Sequence, residues 1–172
     1  MQKIIPADLS QWPVIAKTSR RADMAFAEPF LREDALRQSL EEGRVYVMKD
    51  GSKTLSLASF SFFPMETIFP DDARAQNDLL DGIGYYGEPL LLLEAIFTDP
   101  FAQGKGCAKS LFSSLSHKHK AATWFALLPS TRRTLLPFFH SLGFKPYDFS
   151  KDGSLILVKK KEKEGLCAKP SF

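Results

Sequence analysis

The most informative part of this chain runs from Leu90 to Ala108 and has the sequence LLLLEAIFTDPFAQGKGCA. Its first eight residues are apolar except for Glu94, a pattern typical of a β-strand that is buried on both faces. We therefore predict a central strand over residues 90–97. An Asp-Pro pair ends this strand, and a turn that contains two glycines then leads into a helix.

The predicted turn, residues 103–106 with the sequence QGKG, favours binding of a phosphate group. Gly104 and Gly106 have no Cβ, so the backbone there can approach a ligand closely. The first N–H groups of the following helix have no partner within that helix, and the helix dipole attracts an anion to them. Lys105 and Lys109 add full positive charges. The spacing matches neither the P-loop nor the dinucleotide-binding fingerprint.

The composition indicates one globular domain. The 172 residues are 44% hydrophobic and 25% charged, which is ordinary for a folded chain of this size. We predict a domain over residues 1–158 and a charged tail over residues 159–172. A net charge of +3 is too small to indicate nucleic-acid binding. The longest apolar run is far shorter than the roughly 20 residues that span a bilayer.

The two cysteines, Cys107 and Cys167, form neither a disulfide framework nor a metal-ligand spacing. We therefore expect free thiols, no metal, a cytoplasmic location, and neither a nucleic-acid nor a membrane partner.

Alternating strand and helix patterns predict a mixed α/β fold without internal repeats. The Asp-Gly pair at residues 50–51 predicts a hairpin. Strands are predicted at residues 3–5, 45–48, 53–62, 90–97, 123–128 and 154–158. Helices are predicted at residues 6–24, 28–42 and 132–142, with another directly after the glycine turn and a short one at residues 72–80.

The segment at residues 64–88 contains prolines, glycines and six acidic residues, and it breaks the alternation. Two interpretations remain open: a solvated excursion, or a lip over a pocket whose negative field favours a cationic substrate. Under the second interpretation, the candidate substrate-binding residues are Asp78, Asp81, Tyr85, Tyr86 and Glu88.

Two short motifs in this chain resemble signatures of the GNAT superfamily, the acyl-CoA-dependent N-acetyltransferases. The family's pyrophosphate loop, [QR]-x-x-G-x-[GA], is matched by Gln103, Gly106 and Ala108. A second signature, P-F-Y-x-x-L-G-F, is matched by PFFHSLGF at residues 137–144. Both occur in the expected order with a strand and a helix between them, and the resemblance covers residues 90–144.

The resemblance implies a mixed sheet whose fourth and fifth strands splay apart to admit the pantetheine arm of acetyl-CoA. The backbone of Ile96, Phe97 and Thr98 would pair with that arm, and the amides of residues 103–108 would hold the pyrophosphate. The expected activity is direct transfer of an acetyl group to a primary amine of a small molecule or protein. The candidate cofactor-binding residues are Ile96, Phe97, Thr98, Gln103, Gly104, Lys105, Gly106, Cys107, Ala108, Lys109, Arg132 and Phe139.

Glu94 is the leading candidate for the general base that removes the amine proton. We expect the apolar strand around it to make its carboxylate more basic than an exposed one. The alternative is a structural carboxylate paired with a lysine or a backbone amide.

Phe139 departs from the family pattern. Relatives often have a tyrosine there whose phenol can protonate the coenzyme A thiolate, and phenylalanine cannot. His140, a nearby serine or water could replace it, although a histidine at this position is more typical of an exposed helix residue. The departure also leaves room for a second hypothesis, a non-catalytic acyl-CoA-binding module. Fifteen phenylalanines in the chain otherwise indicate core packing.

Arg132 occupies a position where many relatives have an asparagine that touches the pantetheine arm. It could reach a coenzyme A phosphate instead, or it could be a solvated residue in the first turn of a helix. The resemblance also leaves open whether the chain forms a homodimer.

Overall fold

A computed structural model of the chain describes residues 1–26 and 33–162. Side chains are described for residues 1–21 and 33–162. Its strands form one mixed sheet in the order β1-β2-β3-β4-β5-β7-β6. Neighbouring strands are antiparallel except for the parallel pair of β4 and β5. The strands are β1 (Gln2–Pro6), β2 (Val45–Asp50), β3 (Lys53–Phe62), β4 (Leu90–Thr98), β5 (Thr123–Leu128), β6 (Lys145–Phe149) and β7 (Leu155–Lys159).

Helices cover both faces of this sheet, which confirms the predicted mixed α/β class. The described α-helices are α1 (Trp12–Phe26), α2 (Glu33–Glu41), α3 (Met65–Ile68), α4 (Ala73–Ile83), α5 (Cys107–Lys118) and α6 (Leu136–Ser141). Within the described ranges, no helix is both long enough and apolar enough to cross a membrane.

One face of the sheet, here called the first face, is covered by α5 and α6. On this face Phe112 of α5 meets the ring of Trp124 on β5 edge to face, with centroids 5.4 Å apart. Phe144, which follows α6, packs on the same phenylalanine at 5.3 Å. All three rings are almost completely buried. Because burial of aromatic surface is strongly favourable, it fixes α5 and the glycine turn that precedes it against the sheet.

The opposite, second face is covered by two groups of helices. Ile15 of α1 and Leu36 of α2 pack against β2, β3 and the last residues of β4. Ile68 of α3 and Leu79 of α4 pack against β5, β7 and the first half of β4. Strand β4 is therefore buried on both faces in the middle of the sheet, as its apolar run predicts.

Strands β4 and β5 pair over only part of their length. The paired residues are Leu90 with Thr123, Leu91 with Trp124 and Leu92 with Phe125. Residues 93–98 and 126–128 are all described, and no pairs form between them. The two strands therefore separate towards their carboxyl ends, as the resemblance implies. This leaves one edge of β4 open.

The β3–β4 pairing contains a bulge at Glu94. Phe60 pairs with Leu93 and Ser59 pairs with Ala95, so the register skips one residue of β4. A bulge of this kind bends the strand and redirects a side chain. It lies next to the last paired residues of β4 and β5, where the strands begin to separate.

The structure differs most clearly from the sequence prediction at β6, a strand that the sequence pattern does not predict. All five of its residues are exposed, and its sequence, KPYDF, contains a proline and two charges. Such a composition suits an edge strand, because one side of the strand needs no ladder partner, but it lacks the apolar alternation used to recognise strands.

The helix predicted at residues 132–142 is two pieces: a 3₁₀ segment, Ser130–Leu135, and α6. Arg132 has non-helical dihedral angles (φ −121°, ψ 23°). Pro137, which lacks a backbone N–H, lies in the first turn of α6. The regular α-helix therefore begins only at Leu136, after the irregular backbone at Arg132.

The amino-terminal prediction also needs correction, because β1 extends to Pro6 and α1 begins only at Trp12. Between them Asp8 caps a 3₁₀ turn by accepting a hydrogen bond from the Ser10 N–H at 2.9 Å. Of the helix predicted at residues 28–42, the first five residues lie outside the described ranges.

The acidic segment at residues 64–88 is more ordered than predicted, since it contains α3 in addition to α4. Phe62, which was expected to pack in the core, is 73% exposed at the end of β3. The first tail residue, Lys159, is part of β7. Residues 163–172 lie outside the described ranges, so the domain boundary stays a prediction.

His119 gives the fold a predictable dependence on pH. It follows α5 and contacts the rings of Phe60 and Trp124 at centroid distances of 5.2 and 6.1 Å. Burial, with a smaller contribution from Lys118, lowers the pKa of His119 below its ordinary value of 6.5. The neutral ring therefore stabilises the fold above pH 6.5, and this contribution is lost as the pH falls through the folded-state pKa.

We predict that His119→Phe, which keeps an aromatic ring, weakens the loss of stability between about pH 7 and pH 5. Denaturant unfolding at a series of pH values measures this. Equal slopes for the variant and the parent would contradict the assignment to His119.

Candidate active site

A cavity of about 370 Å³ lies between the open edge of β4, the glycine turn and α6. Its walls come from both GNAT-like motifs, because the turn forms one end and α6 forms the side. The residues that line it are Ile96, Phe97, Thr98, Ala102, Gln103, Gly104, Gly106, Cys107, Ala108, Lys109, Leu135, Phe138, Phe139 and Ser141. Ten of the twelve predicted cofactor-binding residues, Phe139 among them, are thus brought together.

A smaller cavity of about 160 Å³ adjoins the first and lies between the separated strands β4 and β5. The two cavities share Ile96, Leu135 and Phe139. The smaller one is bounded by Glu94 on β4 and by Arg132 on the 3₁₀ segment. Together they form one slot, which runs from the glycine turn to the bulge of β4.

The glycine turn has the geometry of an anion site. Gly104 and Gly106 have φ values of +77° and +75°, in the left-handed region that favours glycine. Gly106 is the N-cap of α5, so the first N–H groups of this helix are directed at the end of the slot. Lys109 lines the cavity. Lys105 is exposed and is absent from the described lining.

The segment that leads into the turn is anchored by Asp99 and Arg21. Asp99 accepts a hydrogen bond from the Phe101 N–H at 3.0 Å and caps the 3₁₀ turn Pro100–Ala102. Its other carboxylate oxygen lies 3.0 Å from a guanidinium nitrogen of Arg21 on α1. Arg21 also stacks over the Phe101 ring, 4.9 Å from its centroid. These contacts link α1 to the connection between β4 and the glycine turn.

Glu94 lies in a polar cluster, which differs from the apolar surroundings expected from its strand. The hydroxyl groups of Ser39 and Ser59 donate to its Oε2 at 3.0 and 2.8 Å. An Arg44 guanidinium nitrogen lies 3.8 Å from the same oxygen. The partners are thus two serines and an arginine, whereas the sequence suggested a lysine or a backbone amide.

Sequence reasoning missed these three partners of Glu94. Ser39 lies on α2 and Ser59 on β3, 55 and 35 residues from Glu94. Their meeting depends on the β3–β4 register and on the bulge. Polar residues at buried positions of α2 and β3 were the available signal, but nothing in the sequence paired them with Glu94.

Phe139 lines both cavities and packs edge to face against Phe138 and Phe144, with centroids 5.4 and 5.9 Å apart. It therefore lies in the slot as the motif predicts. His140 is exposed on α6 and is not among the described residues that line either cavity. The serine next to it, Ser141, does line the larger cavity, and its hydroxyl donates to the Phe138 carbonyl at 2.6 Å.

Arg132 lines the smaller cavity beside Glu94. Arg132 is absent from the described lining of the larger cavity, which ends at the glycine turn. The structure thus brings it to the Glu94 end of the slot and not to the end at the glycine turn.

The five predicted substrate-binding residues lie elsewhere, on α4 and on the connection to β4, and none belongs to the described lining of the slot. Asp78 pairs at the surface with Arg74, and its backbone carbonyl accepts a hydrogen bond from Tyr147 at 2.9 Å. Asp81 is exposed one turn later on α4.

Glu88 has mainly structural partners. It accepts hydrogen bonds from the Tyr86 N–H at 2.7 Å and from the Thr123 hydroxyl at 3.1 Å, and it lies 3.7 Å from Lys161. These hydrogen bonds and the nearby positive charge outweigh burial and lower the pKa of Glu88. The side chains of Tyr85 and Tyr86 are both exposed.

The fold is that of GNAT acetyltransferases, which confirms the resemblance at the level of structure. A GNAT-family acetyltransferase from Streptococcus agalactiae 2603 has a TM-score of 0.73 at 15% identity and covers 94% of this chain and 96% of its own. The ribosomal-protein-S18-alanine N-acetyltransferase of Escherichia coli has a TM-score of 0.65 at 17% identity, with coverages of 96% and 99%.

A third similar structure is the PaiA N-acetyltransferase of Thermoplasma acidophilum, which was solved in complex with coenzyme A. Its TM-score is 0.64 at 11% identity, and it covers 93% of this chain and 99% of its own. No family model matches the sequence, and no curated protein matches it either. At these identities the likeness is one of fold.

Proposed function

We propose that this chain is an acetyl-CoA-dependent N-acetyltransferase that acts on a primary amine of a small molecule or a protein. One observation supports the proposal: two adjoining cavities that share Ile96, Leu135 and Phe139 lie between the N-terminus of α5 and the Glu94 carboxylate. A slot with an anion site at one end and a base at the other suits a donor with a phosphate head and a reactive thioester end. The fold of the similar structures supports the same activity.

The residues of the slot fit acetyl-CoA. The amides at the start of α5 and the Lys109 ammonium would hold the pyrophosphate. The edge of β4 at Ile96, Phe97 and Thr98 would accept the pantetheine arm as an additional strand, because the strand pairing of β4 with β5 ends at Leu92. Bound acetyl-CoA supplies an acetyl group that is already activated as a thioester.

Glu94 is proposed to act as the general base. It takes the proton from the amine nitrogen while the new carbon–nitrogen bond forms and the carbon–sulfur bond breaks. Backbone N–H groups on the open edge of β4 would polarise the thioester carbonyl. Because Glu94 borders the smaller cavity, its carboxylate and the thioester would meet where the two strands separate.

The departing thiolate is proposed to receive its proton from water. Phe139 borders this part of the slot and has no acidic hydrogen. The exposed position of His140 does not favour it as a replacement. Loss of a general acid costs about 10²-fold in rate, so transfer stays feasible without one.

Phe139 also favours a second candidate function, a module that binds acyl-CoA without turnover. A thiol-release assay with a broad panel of amines separates the two candidates. Turnover with any amine supports the enzyme, whereas binding of acetyl-CoA without turnover supports the module.

We predict that Glu94→Gln lowers kcat/KM for amine acetylation by about 10²-fold, because the amide cannot accept the amine proton. The affinity for acetyl-CoA should stay nearly unchanged. Rates measured between about pH 6 and pH 9 test this prediction.

The control for this variant is Glu66→Gln, which removes one negative charge from the exposed surface of α3. The Glu66→Gln variant should acetylate the amine at the parental rate. An unchanged rate for Glu94→Gln would remove this residue as the base.

We also predict that Gly106→Glu weakens acetyl-CoA binding at least ~10-fold, since it adds a negative charge and backbone strain at the proposed pyrophosphate site. The matched control is Gly51→Glu in the β2–β3 hairpin, where φ is +59° and no atom lies within 4 Å of the added Cβ. It carries the same strain and charge but is remote from the slot. Calorimetric titration measures both, and parental affinity in Gly106→Glu contradicts the phosphate site.

A further inference from the structure

We propose that Ser39 and Ser59 are positioning residues that hold one oxygen of Glu94 and leave its other oxygen to take the amine proton. This inference rests on the proposed acetyl transfer and adds residues to it. It assigns a role to a cluster formed by α2 and β3, outside both sequence motifs.

Both serines donate to the same carboxylate oxygen. The distances to Oε2 are 3.0 Å from the Ser39 hydroxyl and 2.8 Å from the Ser59 hydroxyl. Within the described residues, Oε1 of Glu94 receives no hydrogen bond. Two donors on one oxygen fix the plane of the carboxylate, so the second oxygen has a defined direction.

The backbone supports this arrangement. Glu94 is the residue that the β3–β4 register skips, between Leu93, which packs on the first face, and Ala95, which packs on the second. The bulge therefore turns Glu94 towards α2, where Ser39 lies. The side chain of Glu94 is 19% exposed and borders the smaller cavity. Its carboxylate is therefore fixed by hydrogen bonds and is still accessible from that cavity.

The serines themselves are buried, at 2% exposure for Ser39 and no exposure for Ser59. A buried hydroxyl without a partner is costly, so each serine hydroxyl and Oε2 satisfy one another. A hydroxyl donates to a carboxylate more strongly than to a carboxylic acid. The two hydrogen bonds thus keep the Glu94 carboxylate in one orientation.

Two cations face Glu94 from other elements. Arg44 lies 3.8 Å from Oε2 and also binds Glu42 and the Phe60 carbonyl. Arg132 borders the same cavity from the 3₁₀ segment. Glu42 is an acidic residue that pairs with Arg44, so the charges of these two residues partly cancel. Arg44 is therefore shared between Glu42 and Glu94, and the two serines are the described groups that donate hydrogen bonds to Oε2.

The test compares Ser39→Ala, Ser59→Ala and the double variant with the parent, using acetyl-CoA and an amine found active in the panel. Loss of each donor makes protonation of Glu94 easier. The acid limb of the kcat/KM–pH profile should therefore move to higher pH by about 0.5 to 1 pH unit per serine. The rate should fall more at low pH than at high pH.

The matched control is Ser56→Ala. Ser56 is as buried as Ser59 and lies on the same strand, but its hydroxyl donates to the Phe97 carbonyl at 2.8 Å. This variant should lose comparable stability and keep the acid limb in place. An acid limb that stays at the parental pH in the double variant overturns the proposal, because a purely structural pair would not move it.

A second measurement does not depend on turnover. In protein labelled with ¹³C at glutamate carboxyl groups, Glu94→Gln identifies the Glu94 signal, and its titration midpoint is followed by NMR. A higher midpoint in the double variant than in the parent and in Ser56→Ala supports the proposal. An unchanged midpoint overturns the role proposed for the two serines. If the parent protein shows no turnover with any amine, the proposed acetyl transfer fails, but this measurement still tests the serines.

Discussion

The parallel pairing of β4 and β5 ends after Leu92 and Phe125, and the candidate site depends on that break. Because the strands separate beyond these residues, one edge of β4 keeps backbone groups that no described strand pairs with. The rest of the chain holds this opening in shape. Packing of α5 on the first face fixes the anion-binding turn at one end. Helices on the second face fix the bulge at the other.

This arrangement places three chemical capacities along one slot. In the proposed mechanism, helix N–H groups attract an anion, an open strand edge accepts an extended chain, and a carboxylate held by Ser39 and Ser59 accepts a proton. Each capacity alone is common in proteins. Their order along the slot fits a donor with a phosphate head and a thioester end, and the same order explains why Phe139, which borders both cavities, bears on the mechanism.

The sequence predicted the central strand, the glycine turn and most of the slot lining, because these features depend on local residue types and on short motifs. It could not predict β6, whose exposed residues lack the apolar alternation of a strand. Nor could it pair Ser39 and Ser59 with Glu94, since their meeting requires the β3–β4 register. The acidic residues of α4 were singled out by charge, but position in the fold places them away from the slot.

The most direct test of the slot is amide hydrogen exchange of β4, resolved by residue, with and without acetyl-CoA. In the free protein, the amides of residues 93–98 that face β5 should exchange rapidly, because they have no strand partner there. Saturating acetyl-CoA should protect them together with the first amides of α5. Protection elsewhere in the chain, with unchanged exchange along this edge of β4, would contradict the account.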